Sequence, residues 1–172
     1  MRNKYVFLDR DGVLNIDAGT YTFELEKLII IEKVPEALEL LRQNGYQLIV
    51  ITNQAGIAKG MYTESEVMAC NQKIQEACGH LIQAIYYSPY HPSVTESLGR
   101  KPGTLLFERA IAKFGVDVAS SWMIGDKERD LEPAQKVGIT GRILLPLGNE
   151  TSKYATHYAS SLWEAVNEII LR

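Results

Sequence analysis

The stretch Tyr5-Val6-Phe7-Leu8-Asp9-Arg10-Asp11-Gly12 joins an apolar run to a closely spaced pair of acids. The uninterrupted apolar run predicts a short strand that is covered on both faces. Asp9 and Asp11 then enter a turn at Gly12, which places two carboxylates close together. Like charges at this spacing cost energy unless one is protonated or a cation lies between them. Mg²⁺, which prefers oxygen ligands at about 2.0–2.1 Å, would resolve the conflict.

Two other kinds of structure contain closely spaced acids followed by glycine. An ordinary surface Asp-Gly turn fits this motif, and the motif alone leaves that interpretation open. An EF-hand calcium loop does not fit. Gly12 stands at the fourth position of the motif, whereas that loop needs glycine at the sixth and a helix in front of it.

Apolar runs alternate with helical patterns along the whole chain, without an internal repeat or a low-complexity linker. Four further strands are predicted at Gln47–Ile51, Ala84–Tyr87, Trp122–Ile124 and Arg142–Leu145. The helical patterns lie near Pro35–Asn44, Thr63–Gly79, Gly103–Phe114, Leu131–Val137 and Ser161–Leu171. This alternation predicts an α/β fold with a doubly wound, Rossmann-like parallel sheet of about five strands and helices on both faces.

Two helix boundaries carry specific signals. Thr63-Glu64-Ser65-Glu66 is a capping box, in which the Thr63 hydroxyl meets the Glu66 amide and the Glu66 carboxylate reaches back. Gly45 follows Asn44 as a stop at the end of the first helix.

Composition narrows the class of protein. The chain has 172 residues, of which 46% are hydrophobic and 23% charged, and this is typical of one globular domain. A net charge of −3 gives no general attraction for nucleic acid. No apolar run approaches the roughly 20 residues needed to span a bilayer, and Met1–Leu8 is too short and strand-like for a signal peptide. We therefore expect a cytoplasmic, monomeric protein without a membrane or nucleic-acid partner.

The two cysteines do not form a recognisable motif. Cys70 and Cys78 are eight residues apart within one predicted helix, a spacing that matches neither a redox pair nor a zinc site. We expect both to be buried thiols.

Polar residues follow the other predicted strands as well. Thr52 and Asn53 come after the second strand, where a hydroxyl and the backbone amides behind it suit phosphate oxygens, although Thr-Asn is also common in loops. Lys101 precedes a helix and could place a positive charge against phosphate or carboxylate, although a solvated basic pair is the simpler interpretation.

Asp126 leaves the fourth strand as Asp9 leaves the first, and could add a third carboxylate to a metal site. Asp130 is expected to cap the next helix.

Taken in order, these motifs resemble those of the haloacid dehalogenase superfamily of phosphatases. The resemblance covers nearly the whole chain and narrows at residues 7–15, 52–60, 100–102 and 125–127 to the branch that contains the D-glycero-D-manno-heptose 1,7-bisphosphate phosphatases and the histidinol-phosphate phosphatases. That branch has no cap domain. Only about 40 residues separate Asp11 from Thr52 here, which agrees with a single domain over residues 1–172 and no cap.

The resemblance implies a Mg²⁺-dependent phosphatase that acts on a small phosphorylated metabolite. Asp9 would be the nucleophile and Asp11 the general acid and base, with Mg²⁺ held by Asp9, Asp11 (through its backbone carbonyl) and Asp126. The residues expected to bind substrate are Thr52, Asn53, Arg100, Lys101, Asp17 and Lys127. The implied substrate is D-glycero-D-manno-heptose 1,7-bisphosphate, with loss of the 7-phosphate.

One segment departs from that branch. Its members often hold a structural zinc with a Cys-x-His pair and a later Cys-x-Cys. Here those positions read Ser88-Pro89-Tyr90 and Ser97-Leu98-Gly99, without cysteine. His91 alone cannot make a tetrahedral site, so no zinc is expected.

Other functions stay open at this level. Histidinol phosphate is an alternative substrate, and a polynucleotide 3′-phosphate is a more distant one, disfavoured by the acidic composition. A non-catalytic phosphate-binding domain is a different class, which would have no need of two adjacent acids beside an anion. The chain has no Walker A motif and no Gly-x-Ser-x-Gly nucleophile elbow.

Overall fold

A computed structural model describes residues 3–172, so Met1 and Arg2, the start of the Met1–Leu8 segment, lie outside the described residues. Within them, one sheet has the strand order β3-β2-β1-β4-β5-β6, and all neighbouring strands are parallel. The strands are β1 Tyr5–Leu8, β2 Gln47–Asn53, β3 Ala84–Ser88, β4 Trp122–Gly125, β5 Gly141–Leu144 and β6 His157–Tyr158.

Five helical segments cover the two faces of this sheet. They are α1 Val34–Gln43, α2 Glu64–Ala77, α3 Leu105–Phe114, α4 Glu128–Lys136 and α5, which starts as Leu162–Glu164 and continues as a π-helix over Ala165–Ile170. Successive side chains of a strand point to opposite faces. Val6 and Leu8 therefore pack with α1, α2 and α5, whereas Tyr5 and Phe7 pack with α3 and α4. The predicted α/β fold, doubly wound with helices on both faces, is confirmed.

The number of strands differs from the expected five or so. β6 adds a sixth strand, which pairs with β5 through Ile143 and Leu144. It has two residues, His157 and Tyr158, and both are exposed. A strand this short and polar has no apolar run, so hydrophobic periodicity cannot detect it. The predicted strand at Arg142–Leu145 lies one residue earlier, at Gly141–Leu144.

Between β1 and β2 the chain forms a short antiparallel flap and the helix α1. Asn15 and Ile30 form an antiparallel bridge, and the Ile16 amide donates to the Ile29 carbonyl at 2.9 Å. We call residues 15–30 the flap. It is followed directly by α1 and β2, so within residues 3–172 the region between Asp11 and Thr52 contains no cap domain, as expected.

Three smaller expectations can be checked directly. Cys70 and Cys78 are buried free thiols. Gly45 has a positive φ of 81° and follows the end of α1, as the helix stop required. None of the helices in the described part of the chain combines the length and apolar character needed to cross a bilayer.

The capping box at the start of α2 forms as predicted. The Thr63 hydroxyl accepts from the Glu66 amide, and the Glu66 carboxylate accepts from the Thr63 amide at 2.7 Å. Thr104 stands at the same position before α3 but makes no side-chain cap. The two threonines therefore form a natural comparison.

Replacing Thr63 with alanine should lower the free energy of unfolding by about 1 kcal/mol, because an amide at the start of α2 loses its partner. Chemical denaturation of the purified protein measures the change. Thr104→Ala is the matched control and should cost clearly less, since no cap is lost there. Equal losses in the two variants would contradict the assignment of the cap.

Candidate active site

The site lies beyond the carboxyl ends of β1, β2 and β4. The chain proceeds from β1 to β2 on one side and returns to β4 on the other, so the strand order reverses between β1 and β4, where such sheets bind ligands. Asp9 follows β1 at this point, and its amide donates to the Ile124 carbonyl of β4 at 3.0 Å. Asp126 follows β4. The two carboxylates predicted from separate strands are thus brought together.

Lys101 lies buried among these acids. Its ammonium contacts Asp9 Oδ1 at 2.9 Å and Asp130 Oδ1 at 2.7 Å, and donates to the Ile51 carbonyl at 2.6 Å. A lysine ammonium has three N–H donors, and these contacts use all three. Burial alone lowers the pKa of Lys101, but the charges of Asp130 and Asp9 outweigh it and the net pKa is raised. Lys101 therefore remains a cation.

The acids around Lys101 carry more charge than it can balance. Carboxylate oxygens of Asp9, Asp126 and Asp130 lie within 4.8 Å of one another, and all three residues are buried. Burial, followed by the negative charge of Asp130, raises the pKa of Asp9 to about 6. Burial, then the charges of Asp130 and Asp9, raises the pKa of Asp126 to about 8. Both carboxylates are therefore held at an energetic cost.

A divalent cation fits this group. Three ionised carboxylates against one ammonium leave two negative charges, which equals the charge that Mg²⁺ would neutralise. Asp126 Oδ2 is buried and has no hydrogen-bond partner, although Lys127 Nζ lies 3.5 Å away. A buried oxygen in this state is costly unless it has a ligand. Carboxylate oxygens are the donors that Mg²⁺ prefers.

Two glycines let the acids approach the backbone. A Cβ at Gly12, whose φ is +82°, would lie 2.6 Å from Asp126 Oδ2. A Cβ at Gly125 would lie 2.4 Å from the Cβ of Asp130. Side chains at either position would push an acid out of the cluster, so both glycines are required by close contact, and Gly12 by its positive φ as well.

Asp11 lies in different surroundings, although it is only two residues from Asp9. Arg10 Nη2 contacts its Oδ1 at 3.0 Å and its Oδ2 at 3.2 Å. Asn15 donates to Oδ1 at 2.9 Å, and Gln54 donates to Oδ2 at 3.0 Å. The side chain is 28% exposed and lines a cleft. Its carboxylate is therefore held by donors at the edge of the site and does not join the acid cluster.

Thr52 and Asn53 end β2 beside this cleft. The Thr52 hydroxyl is buried and accepts from Gln54 Nε2 at 3.0 Å. Asn53 makes a contact that the sequence did not predict: its Oδ1 accepts from the Lys101 amide at 3.0 Å, and its Nδ2 donates to the Lys101 carbonyl at 3.1 Å. Asn53 thus fixes the backbone of Lys101 from 48 residues away.

A cleft of about 360 Å³ opens above the site. Its walls include the expected substrate residues Asp17 and Asn53 together with Asp11. Asp17 Oδ1 accepts from the Gly19 amide at 2.9 Å, which keeps the flap turned at the cleft. Residues 17–22 of the flap form one wall, except for Ala18.

The other two expected substrate residues lie at the borders of the site. Arg100 precedes Lys101 and donates through Nη1 to the Tyr90 carbonyl at 3.1 Å. Burial and then the charge of Arg129 lower the pKa of Arg100. Lys127 contacts Asp126 at 3.5 Å and Glu150 at 3.1 Å. Both cations flank the site but do not enter the acid cluster.

Three residues of the site were not assigned there from the sequence. Asp130 was expected to cap α4, and its Oδ2 does accept from the Lys127 amide at 3.0 Å, but its Oδ1 also contacts Lys101. Gln54 joins Asp11 to Thr52, and Arg129 lines the cleft. The position of Gln54 directly after Thr52 and Asn53 indicates that it belongs to the site. Nothing in the sequence distinguishes Arg129 from other exposed arginines in helices.

Known proteins are similar to this chain in sequence. Residues 98–165 match the family model described as HAD-hydrolase-like. The chain is 38% identical over 160 residues to the D-glycero-beta-D-manno-heptose-1,7-bisphosphate 7-phosphatase of Haemophilus ducreyi, covering 86% of each protein. It is 35% identical over 188 residues to the D-glycero-D-manno-heptose-1,7-bisphosphate 7-phosphatase of Chlorobaculum tepidum, covering 98% of this chain and 94% of the relative.

Solved structures share the fold. The D,D-heptose 1,7-bisphosphate phosphatase of B. bronchiseptica, solved as a complex with magnesium and phosphate, superposes with a TM-score of 0.87 at 24% identity. The match covers 97% of this chain and 98% of that one. With the sequence matches above, it follows that the chain belongs to the haloacid dehalogenase-like phosphatases, in the family of the D-glycero-D-manno-heptose-1,7-bisphosphate 7-phosphatases.

Proposed function

We propose that this chain hydrolyses the 7-phosphate of D-glycero-D-manno-heptose 1,7-bisphosphate through a phosphorylated Asp9. The observation that carries the proposal is the position of Asp9, which is buried beside Lys101 and stands two residues before a second acid, Asp11, that lines the cleft. The proposed substrate is that of the heptose-1,7-bisphosphate 7-phosphatases that are 32–38% identical to the chain. All the proposed site residues come from one chain, so a monomer suffices.

The two carboxylate oxygens of Asp9 differ in their contacts. Lys101 Nζ and the Arg10 amide both contact Oδ1, at 2.9 and 2.7 Å. Oδ2 is therefore the oxygen that attacks phosphorus. The bond between phosphorus and the sugar oxygen breaks, and Asp9 becomes an acyl phosphate. Thr52 and Lys101 hold the transferring group, because a hydroxyl donor and a cation both stabilise its charge.

Asp11 transfers the proton in both steps. In the first step it protonates the sugar oxygen as that oxygen leaves, and in the second it takes a proton from the water that attacks the phosphorylated Asp9. General acid catalysis of this kind contributes about 10²- to 10⁴-fold in rate. Its effect is largest for alkoxide leaving groups, which depart poorly without a proton.

The remaining residues of the site bind the metal and the sugar. Mg²⁺ would be held by Asp9 and Asp126, together with the backbone carbonyl of Asp11, and supplies charge neutralisation between the carboxylates and the phosphate when bound. Asp17 offers its carboxylate to sugar hydroxyl groups from the flap. Arg100 and Lys127 place positive charges on either side of the bound phosphorylated sugar.

Phosphate release with Mg²⁺ present tests the substrate. The heptose 1,7-bisphosphate should give a kcat/KM at least roughly tenfold above that for histidinol phosphate, because Arg100 and Lys127 offer positive charge to a substrate with two phosphates. A 3′-phosphorylated oligonucleotide should be at least as poor a substrate, because the net charge of the chain is negative. A preference for histidinol phosphate would replace the substrate but keep the enzyme class. Binding of phosphate without turnover of any of the three would show a non-catalytic domain.

Asp9→Asn should lower kcat by roughly three orders of magnitude or more, because an amide cannot attack phosphorus. The fold should survive, and the Mg²⁺-free protein should be no less stable, since the substitution removes one of three crowded negative charges. Rates of phosphate release and thermal unfolding measure the two effects. Asp117→Asn, before β4 and outside the site, is the control. Near-normal turnover by Asp9→Asn would exclude the phosphorylated intermediate.

Mg²⁺ should stabilise the metal-free protein against heat, by about 2.7 kcal/mol at a concentration 100 times its dissociation constant. Asp126→Asn should largely abolish this shift, because it removes a buried ligand, whereas Glu132→Gln on the outer face of α4 should keep it. Differential scanning calorimetry after treatment with a chelator provides the measurement. A full shift in Asp126→Asn would place the metal elsewhere.

Zinc is proposed to be absent from the same preparation. Ser88, Tyr90, Leu98 and Gly99 provide no thiolate at the positions where relatives of this branch hold zinc. Elemental analysis of the purified protein is the check, and one tightly bound zinc per chain would contradict it.

A further inference from the structure

Gln54 is a buried polar residue that links two parts of the site. It follows β2 directly and is only 2% exposed. Its Nε2 donates to Asp11 Oδ2 and to Thr52 Oγ1, both at 3.0 Å. Its Oε1 accepts from the Tyr62 hydroxyl, also at 3.0 Å. One amide therefore contacts both the proposed general acid and a proposed phosphate-binding hydroxyl.

The chemistry of the partners fixes the orientation of this amide. Arg10 Nη2 already donates to Asp11 Oδ2 at 3.2 Å, so this oxygen is an acceptor and the nitrogen of Gln54 must face it. The oxygen then faces Tyr62, which must donate. Burial raises the pKa of Tyr62 to about 12, so its hydroxyl keeps its proton at neutral pH. A reversed amide would set two acceptors against each other at Asp11 and leave two donors facing at Tyr62.

Tyr62 is itself held firmly in place. Its hydroxyl oxygen accepts from the Gly56 amide at 3.3 Å, and a Cβ at Gly56 would lie 2.0 Å from its ring. Its ring stacks on Phe23 of the flap with 5.0 Å between centroids and meets Tyr21 edge-on at 5.7 Å. The Tyr62 hydroxyl is thus fixed by the loop after β2 on one side and by the flap on the other.

Arg10 and Asn15 alone do not fix the Asp11 side chain relative to the phosphate. Asn15 donates to Oδ1, and Arg10 donates to both oxygens, but neither has a hydrogen bond to Thr52 within residues 3–172. Gln54 supplies the one direct hydrogen-bonded bridge in this part of the chain between Asp11 and Thr52.

We propose that Gln54, oriented by Tyr62, is a positioning residue that holds the Asp11 carboxylate in register with the phosphate bound at Thr52. The inference rests on the proposed role of Asp11 as general acid. It identifies the hydrogen bond from Gln54 as the contact that keeps the Asp11 carboxylate in position for that role. Proton transfer requires a donor within hydrogen-bond reach of the leaving oxygen, so a rotated Asp11 would transfer its proton slowly.

A double-mutant cycle between Gln54 and Asp11 tests this role. Gln54→Leu should lower the single-turnover rate of Asp9 phosphorylation by the heptose 1,7-bisphosphate by roughly 10- to 100-fold, within the range of general acid catalysis, and the rate with an aryl phosphate far less. In the Asp11→Asn background the same change should lower this phosphorylation rate by no more than about twofold, because residues that act as a unit are not additive.

Tyr62→Phe provides a milder variant that keeps the ring packing. It removes the hydroxyl that orients the Gln54 amide and accepts from the Gly56 amide, so it should show the same leaving-group dependence with a smaller loss, about three- to tenfold. Gln72→Leu on the exposed side of α2 and Tyr46→Phe at the start of β2 are matched controls and should leave both rates unchanged. Thermal unfolding confirms that each variant is folded.

Each outcome of the cycle has one meaning. Losses that multiply in the double variant, or equal losses on the sugar and aryl substrates, would show a merely structural role for Gln54 and overturn the inference. If Asp11→Asn itself shows no leaving-group dependence, the proposed general acid fails and the inference fails with it. Leaving-group dependence in Asp11→Asn together with non-additive Gln54→Leu supports both.

Discussion

The buried ion pairs of Lys101 are the interaction on which the rest of the site depends. Removing a charge from water is costly, and a buried ammonium is tolerated only when its donors are satisfied and anions lie beside it. Lys101 meets both conditions with Asp9, Asp130 and the Ile51 carbonyl. These partners come from three separate strand ends or helix starts, so the pairs also fix how β1, β2 and α4 converge.

This arrangement leaves an excess of negative charge in the centre of the protein. Packing against the sheet forces Asp9, Asp126 and Asp130 together, and the raised pKa values of Asp9 and Asp126 express the cost. These three acids therefore lower the stability of the folded protein when no cation is bound between them. A divalent cation bound among these carboxylates would relieve the repulsion, so the strain that the two hydrophobic layers maintain favours the metal binding proposed above.

The sequence predicted the parts of this structure that depend on local pattern. The strand at residues 5–8, the capping box at Thr63 and the placement of Asp9 and Asp126 at strand ends follow from apolar periodicity and strand direction. The two-residue β6 and the joint role of Asp130 as helix cap and Lys101 partner could not be predicted, because they depend on contacts between distant segments. Asn53 illustrates the limit: its type suggested phosphate binding, but its amide is paired with the Lys101 backbone.

The two acids of the first sequence motif lie in different surroundings, which suit the two chemical roles proposed for them. Asp9 points towards the sheet, where burial and neighbouring carboxylates raise its pKa to about 6, and Lys101 occupies one of its oxygens. Asp11 points towards the cleft, where Arg10, Asn15 and Gln54 donate to it and solvent reaches it. A nucleophile needs a fixed position and a free oxygen, whereas an acid and base needs access to the leaving group and to water. Because alternate residues of a strand face opposite sides, the two-residue spacing would by itself place both acids alike. The chain leaves strand geometry before Asp11, since the Arg10 carbonyl already accepts from the Leu14 amide at 2.8 Å, and this turn separates the two acids.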